Sequence, residues 1–364
     1  MARIVFILGA GASSEAGIPV MKDFLGKAER LMDEHNVQKK DDDFRLIFEA
    51  IGQLQLTHSK GWINLDNLES VFAAFEFARL LGGLPGRTKD GNALDPEKLV
   101  IELKELIRIT IEESLLLHFD HHRNRYLPNS YPKFVDLLKE LAFKNPNKPP
   151  IASVITFNYD LALDWAMGSY SLGPKYFVCE SIYDSPTGIP LLKLHGSLNW
   201  CRSSDGKEVL PLHMAEFSRS LLLASKEAPK KLQIRFDHQK WDSRSGPVLV
   251  PPTFNKGEYH RELSKVWVQA ARELSEAEFI FVIGYSCPRS DEFFPYLYSL
   301  GTAGGKPLKG FWIYDINPDS ESLENRFKEF LGTDAKNKLH VQKASFQESV
   351  PLIAEEIRKS GILK

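Results

Sequence analysis

The segment from Arg3 to Ser14 reads RIVFILGAGASS, and it decides the fold because it joins two patterns. Six residues rich in Ile, Val and Phe predict a short buried β-strand. The following Gly9 and Gly11 predict a tight turn whose backbone N–H groups can approach an anion closely. After Gly17-Ile18-Pro19, the pattern from about Met21 to His35 predicts a helix. A strand, a glycine turn and a helix in this order open a nucleotide-binding unit.

Further apolar runs downstream predict more strands of the same kind. They cover Ile151–Thr156, Pro190–Leu194, Pro247–Val250, Phe279–Ile283 and Phe311–Tyr314. Runs without alternation are typical of parallel strands that are buried on both faces. Helical patterns lie between several of these runs, as in Glu258–Glu276, and this alternation favours an α/β fold. We therefore predict a Rossmann-like parallel sheet with a large helical insertion.

The character of the chain changes along its length, which predicts a core and two insertions. Residues 1–35, 150–200 and 246–364 carry the predicted strands and would form the Rossmann-like core. Residues 36–149 place apolar side chains at helical spacing and predict a helical insertion. Residues 201–245 are more polar and predict a second, smaller insertion.

The amino-acid composition indicates which binding partners and which cellular compartment to expect. Hydrophobic residues make up 43% of the 364 residues and the formal net charge is −2, so no basic footprint favours nucleic acid as a partner. Cys179, Cys201 and Cys287 form no C-x-x-C pair, which fits a reducing cytoplasm. The sequence contains no stretch of about 20 apolar residues, so no membrane span is expected. We expect a cytoplasmic protein without a membrane partner.

Polar side chains follow the predicted strands at their carboxyl ends, where α/β folds place ligands. In Thr156-Phe157-Asn158-Tyr159-Asp160, the Asn158 amide can donate and accept hydrogen bonds and Asp160 can accept them. Capping of a helix that begins near Leu161 explains Asn158 or Asp160 equally well. His195, in Leu194-His195-Gly196-Ser197, suits proton transfer near neutral pH, although a structural histidine is the commoner case.

Two later strand ends offer weaker indications of ligand binding. Gly284-Tyr285-Ser286-Cys287 combines a small residue with a hydroxyl and can hold a phosphate, but Pro288 excludes a nucleophile elbow. In Asp315-Ile316-Asn317-Pro318, Asp315 or Asn317 can bond to a ribose, or the segment is simply a turn before proline. Ser14 stands where the dinucleotide dehydrogenase fingerprint requires glycine, so hydride transfer is disfavoured.

The order of these motifs is more specific than any one of them. The series GAGAS…GIP, TFNYD, LHGS, GYS and IN resembles the sirtuin series GAG-x-S…GIP, TQNID, HG, GTS and N. The chain therefore resembles a SIR2-like (sirtuin-related) domain over its sheet-forming segments. The two predicted insertions have no counterpart in this resemblance.

The resemblance implies NAD as the substrate and gives roles to individual residues. Asn158 and His195 would be catalytic: Asn158 would contact the nicotinamide ribose, and His195 would accept a proton from a ribose hydroxyl or from water. Asp160 would hold the nicotinamide carboxamide. The other implied NAD-binding residues would line the phosphates or the adenosine ribose: Ala10, Gly11, Ala12, Ser13, Gly284, Ser286 and Asn317.

Three departures separate the chain from sirtuin deacylases. The two C-x-x-C pairs that hold zinc are missing, so no zinc is expected. Val20–Leu25 follow the GIP segment where those enzymes have an arginine, and Phe157 and Tyr159 flank Asn158. Without the zinc module, which helps to shape the acyl-lysine groove, the implied nucleophile is water.

The layout resembles the zinc-free SIR2-like proteins of bacteria, many of which deplete NAD in defence against phage. The resemblance implies an NAD glycohydrolase that releases nicotinamide and ADP-ribose. It also implies a homo-oligomer and, in some systems, a partner ATPase. An NAD-dependent protein deacylase, an ADP-ribosyltransferase and a non-catalytic sensor of NAD or ADP-ribose remain open as alternatives.

Overall fold

The computed structural model describes residues 3–34, 41–56, 63–143, 150–179, 188–212, 229–232, 246–250, 257–318 and 321–363. The strands are β1 (Arg3–Leu8), β2 (Leu116–Asp120), β3 (Arg125–Pro128), β4 (Ala152–Thr156), β5 (Pro174–Lys175), β6 (Ile189–Lys193), β7 (Gly196–Ser197), β8 (Trp200–Arg202), β9 (Val209–Pro211), β10 (Lys230–Lys231), β11 (Val248–Leu249), β12 (Ala277–Ile283), β13 (Gly310–Asp315) and β14 (Leu339–Lys343). The helices are α1 (Ala10–Ser14), α2 (Phe24–Asp33), α3 (Asp41–Leu56), α4 (Leu68–Leu81), α5 (Pro96–Ser114), α6 (Tyr131–Phe143), α7 (Ala162–Ser169), α8 (Gly257–Glu276), α9 (Phe293–Thr302), α10 (Glu321–Phe330), α11 (Thr333–Lys336) and α12 (Phe346–Lys359). Single 3₁₀ turns cover Met21–Asp23 and Arg289–Asp291.

A seven-stranded parallel sheet forms the centre of the molecule, in the order β5-β6-β4-β1-β12-β13-β14. The strand β1 pairs with β4 on one side and with β12 on the other, so the direction of strand addition reverses at β1. This is the strand order of a doubly wound Rossmann sheet, in which ligands bind outside the carboxyl ends at the point of reversal. The predicted α/β, Rossmann-like fold class is confirmed.

The central strands are buried on both faces, as their uninterrupted apolar runs predict. Ile4 to Leu8 are completely inaccessible to solvent, and so are Ile280 to Val282 of β12. Phe6 packs against Phe281 of the neighbouring strand and edge-on against Phe134 of α6. Burial of such side chains stabilises the sheet by about 1.5–3 kcal/mol each.

One strand prediction is wrong in its placement. The run Pro247–Val250 is expected in the parallel sheet, but only Val248 and Leu249 are extended, and they pair antiparallel with β7 outside it. Gly196 makes this pairing possible, because its φ is +85° and a Cβ there would lie 2.0 Å from the Val248 carbonyl oxygen. The sequence does not predict the edge strand β14, because its side chains are half-buried or exposed and form no apolar run.

The region predicted as a helical insertion contains α3 to α6, but also a hairpin of β2 and β3. Residues 36–149 are predicted to be helical, yet Asn124 adopts a φ of 52° and closes a turn between two strands. The helix α6 packs onto the central sheet through Phe134, which also contacts Phe346 of α12. The division into a core and two insertions stays a prediction. Within the described ranges, every helix is too short or too polar to cross a membrane.

Candidate functional site

The glycine segment after β1 is already helical, since Ala10–Ser14 form the short α1. Its backbone lies directly against the turn after β12. The Gly11 N–H donates to the Gly284 carbonyl oxygen at 2.9 Å, and the Ala12 N–H donates to the Gly9 carbonyl oxygen at 3.0 Å. These two N–H groups therefore bond within the protein, and the roles of Ala10 to Ser13 toward a pyrophosphate stay predictions.

Gly9 permits this close approach, and an alanine there is expected to destabilise the fold. A Cβ on Gly9 would lie 2.5 Å from both the Gly284 carbonyl oxygen and the Tyr285 Cα atom, so backbone would have to move. We expect Gly9→Ala to lower the free energy of unfolding by about 1–3 kcal/mol, measured by urea denaturation. Gly26→Ala is the matched control, because no atom lies within 4 Å of its added Cβ. It should raise stability by about 0.5–1 kcal/mol; equal effects of the two changes would contradict the close packing.

Asn158 connects the loop after β4 to the glycine segment. Its Nδ2 donates to the Gly9 carbonyl oxygen at 2.9 Å and to Ser13 Oγ at 3.0 Å. Ser13 Oγ also lies 2.8 Å from the Tyr131 hydroxyl, and both Ser13 and Tyr131 are buried. Because both amide protons of Asn158 are used inside the protein, its Oδ1 is the group that this half-buried side chain can offer to a ligand.

Asp160 is buried, and its Oδ1 accepts from the N–H of Ala162, the first residue of α7, at 2.9 Å. The N-cap position belongs to Leu161, so Asp160 bonds to the first helical N–H without being the N-cap residue. Its role toward a nicotinamide carboxamide stays a prediction. Burial raises the pKa of Asp160, while the positive charge of Lys193 and hydrogen bonds from Ala162 and Ser13 oppose that rise.

The sequence does not reveal a buried polar cluster that lies behind this loop. Lys193 Nζ donates to the Asp160 backbone carbonyl at 2.5 Å and lies 3.0 Å from Asp164 Oδ2. The Tyr176 hydroxyl donates to Asp164 Oδ1 at 2.6 Å. The Lys193 and Asp164 side chains are 1% and 2% exposed, so this is a desolvated ion pair. Lys193 thus connects the end of β6 to helix α7 through Asp164 and to the loop after β4 through the Asp160 carbonyl.

His195 lies two residues beyond β6, just as Asn158 lies two residues beyond β4. Because Thr156 and Lys193 are register partners, the two side chains follow adjacent strands at equivalent positions. His195 Nε2 is 3.2 Å from Asp291 Oδ1, and the imidazole is 6% exposed. The Phe157 ring meets it edge-on at 5.1 Å. These contacts place the imidazole among Asp291 and aromatic rings at the carboxyl end of the sheet.

Two neighbours of His195, Asp291 and Tyr285, are absent from the sequence predictions. The Tyr285 hydroxyl donates to Asp291 Oδ2 at 3.0 Å, and its ring stacks on Phe157 at 4.1 Å with an interplanar angle of 5°. Burial and the nearby Asp291 carboxylate raise the pKa of Tyr285, so it stays a neutral hydroxyl donor. The one signal in the sequence is the position of Tyr285 between the predicted Gly284 and Ser286.

The remaining predicted residues occupy the ends of β12 and β13. The Gly284 N–H donates to the Tyr314 carbonyl oxygen at 3.0 Å, which joins the two strand ends. Ser286 is exposed, and so is Asn317, whose backbone N–H donates to Asp315 Oδ1 at 2.8 Å. Hydrogen bonds and strand register thus bring together six of the predicted site residues, whereas Ser286 and Asn317 are exposed: Gly11, Ser13, Asn158, Asp160, His195 and Gly284.

The cysteines do not fit a structural zinc site. Cys201 belongs to β8, Cys287 follows β12, and Cys179 lies after β5. Burial raises the pKa of the Cys287 thiol to about 12. In the described part of the chain, no group of three or more His, Cys, Asp or Glu side chains is arranged to hold a metal ion.

Comparisons with known proteins give low-identity structural similarities. No model of a known protein family matches the chain, and no curated protein matches it. Sir2Tm bound to a propionylated peptide is 14% identical, with a TM-score of 0.38 over 99% of this chain and 94% of that one. A mutant Sir2 homologue with ADP-ribose is 15% identical, with a TM-score of 0.41 over 100% and 94%. A structure that describes the structural basis of sirtuin substrate affinity is 16% identical, with a TM-score of 0.41 over 97% of this chain and 93% of that one.

Proposed function

We propose that this protein is an NAD glycohydrolase that cleaves NAD to nicotinamide and ADP-ribose. The observation that supports the proposal most is that Asn158 and His195 lie at equivalent positions, two residues beyond the adjacent strands β4 and β6. Asn158 is bonded to the glycine segment after β1, so an amide, an imidazole and the predicted nucleotide loop share one end of the sheet.

The chemistry needs only groups of this kind. In hydrolysis, the bond between the ribose carbon and the nicotinamide nitrogen breaks, and its electron pair neutralises the pyridinium. A water oxygen forms the new bond to the ribose carbon, and the water proton passes to the imidazole of His195. Nicotinamide leaves as a neutral molecule, so no strong acid is needed to assist its departure. The site has to orient the ribose, supply a base for the attacking water and stabilise the cationic sugar with dipoles. The Asn158 Oδ1 would accept from a ribose hydroxyl and hold the sugar in place.

The strand order supports a dinucleotide as the substrate. Doubly wound sheets bind such ligands outside the carboxyl ends of the strands at the switch point, which lies here between β1 and β12, where Gly9, Gly11 and Gly284 meet. The sirtuin-like order of the strand-end motifs favours NAD among dinucleotides. His195 is 5% exposed, so entry of the nicotinamide ribose requires displacement of a side chain that covers it.

Nicotinamide release tests this proposal directly. Purified protein is incubated with NAD, with and without an acetylated peptide, and nicotinamide and ADP-ribose are quantified by liquid chromatography. We expect release without peptide, in equal amounts of the two products. Release that requires the peptide would contradict the proposal and indicate a deacylase. Binding of NAD without turnover would also contradict it and indicate a sensor.

We further propose that the hydrolysis depletes NAD in antiphage defence, within a homo-oligomer and with a partner ATPase. Support comes from the resemblance to zinc-free SIR2-like proteins and from the absence of C-x-x-C pairs in the sequence. Unrestrained hydrolysis would harm the host cell, so the activity must be controlled. Cellular NAD should fall after phage infection in cells that carry the intact gene, and should stay constant in cells with a His195→Ala variant.

A further inference from the structure

We infer that Asp291, supported by Tyr285, is a positioning residue that fixes the tautomer of His195 and makes Nδ1 its proton-accepting nitrogen. The inference rests on the proposed function for its catalytic consequence, but its geometric content does not depend on it. Asp291 lies on the 3₁₀ turn Arg289–Asp291 that follows β12, whereas His195 follows β6. The pair therefore joins two loops that are far apart in the sequence.

The assignment of the His195 tautomer rests on the short distance between His195 and Asp291 and on the burial of both side chains. His195 Nε2 and Asp291 Oδ1 are 3.2 Å apart, and both side chains are at least nine-tenths buried. This contact has the distance of an ion pair but not the geometry of a hydrogen bond. A buried carboxylate still favours the proton on the nearer ring nitrogen, because it attracts an N–H there and repels a lone pair. Neutral imidazole has one N–H, which leaves Nδ1 with the lone pair.

Tyr285 holds the carboxylate in that orientation. Its hydroxyl donates to Asp291 Oδ2 at 3.0 Å, so the two carboxylate oxygens face different partners. The Tyr285 ring is stacked against Phe157, which itself touches the imidazole, so aromatic packing holds the tyrosine beside the histidine. A buried carboxylate that is hydrogen-bonded through Oδ2 has little freedom to turn away from the histidine.

The arrangement has a chemical purpose in the proposed reaction. When Nδ1 takes the proton from the attacking water, the ring becomes an imidazolium, and the adjacent Asp291 carboxylate stabilises that charge. A carboxylate that orients a catalytic imidazole and stabilises its charged form is a recurrent device in hydrolytic sites. The same contact determines which ring nitrogen is left to accept the proton.

Nitrogen NMR of the histidine ring tests the assignment without reference to activity. In protein labelled with ¹⁵N-histidine, the His195 resonances are assigned by comparison with His195→Gln. In the neutral ring we expect a protonated, pyrrole-type Nε2 and an unprotonated, pyridine-type Nδ1. The opposite pattern in the wild type would overturn the inference. The expected pattern without nicotinamide release would contradict the proposed function and leave the orientation supported.

Variants at Asp291 and Tyr285 extend the test to the reaction. Asp291→Asn can present an N–H to Nε2, so the tautomer should invert and kcat should fall by about 10²- to 10⁴-fold with KM nearly unchanged. Tyr285→Phe keeps the aromatic stack and should keep the tautomer, with a loss of kcat of about tenfold. Asp334→Asn on an exposed helix and Tyr298→Phe in the core are matched controls and should behave like the wild type. A wild-type kcat in Asp291→Asn would overturn the positioning role.

Discussion

Replacing His195 by alanine is expected to lower nicotinamide release from NAD by about 10²- to 10⁴-fold. The imidazole is the base that the proposed reaction requires, and the alanine side chain cannot accept the proton of the attacking water. Asn158→Ala should have a similar effect, because it removes the amide oxygen offered to the ribose and the bonds to Gly9 and Ser13. Initial rates of nicotinamide release measure both effects.

Controls must separate lost chemistry from lost folding. His340→Ala lies on the exposed edge strand β14 and should leave the rate unchanged. Circular dichroism and thermal unfolding should show that the His195 and Asn158 variants keep the fold. Wild-type rates in both folded variants would rule out the proposed site.

Replacing Lys193 by methionine is expected to destabilise the fold more than Gly9→Ala does. Methionine keeps much of the side-chain length but removes the charge that faces Asp164 and the donor to the Asp160 carbonyl. A buried ion pair that loses one partner leaves an uncompensated charge, which costs about 3–5 kcal/mol. Urea denaturation at neutral pH measures the free energy of unfolding.

The double variant Lys193→Met/Asp164→Asn tests this explanation. It removes both charges, while the amide oxygen of the introduced asparagine can still accept from Tyr176, so most of the lost stability should return. Lys359→Met is the surface control, since its side chain is 59% exposed, and it should change stability by about 0.5 kcal/mol or less. A double variant as unstable as the single one would contradict the charge explanation.

The buried cluster around Lys193 and Asp160 predicts in which direction the stability of the fold changes with pH. Burial raises the pKa of Asp160 above its value of about 3.9 in an unfolded chain, so the folded state holds its proton more tightly. The contribution of this group to stability is therefore complete below the unfolded pKa and is lost as pH rises through the folded pKa. Since Lys193 opposes the shift, Lys193→Met should widen this window toward higher pH. Urea denaturation of both proteins across the acidic pH range measures the difference.

The sequence is most informative where apolar runs are long and uninterrupted. The segments that form β1, β12 and β13 are largely buried on both faces, and burial of this kind requires the Ile, Val and Phe residues that are visible in the chain. The edge strand β14 exposes His340, Gln342 and Lys343, so hydrogen bonding to β13 rather than composition makes it a strand.

The parts of the site that the sequence does not predict depend on contacts between distant segments. Tyr131 lies 118 residues from Ser13, yet their hydroxyls are 2.8 Å apart. Asp291 lies in a short turn without an apolar pattern, and nothing local indicates that it faces His195. Strand-end positions are predictable because parallel strands share an edge, whereas the second layer of partners depends on how helices and turns pack over that edge.

The bond between Tyr131 and Ser13 limits how the chain can be shortened. Tyr131 is the first residue of α6, and its hydroxyl reaches the serine that holds the Asn158 amide. A minimal fragment that lacks residues 36–149 would lose that hydroxyl and the Phe134 ring on the sheet. Excision would therefore have to stop before Tyr131, because α6 helps to hold the side-chain amide of Asn158 in place through Ser13.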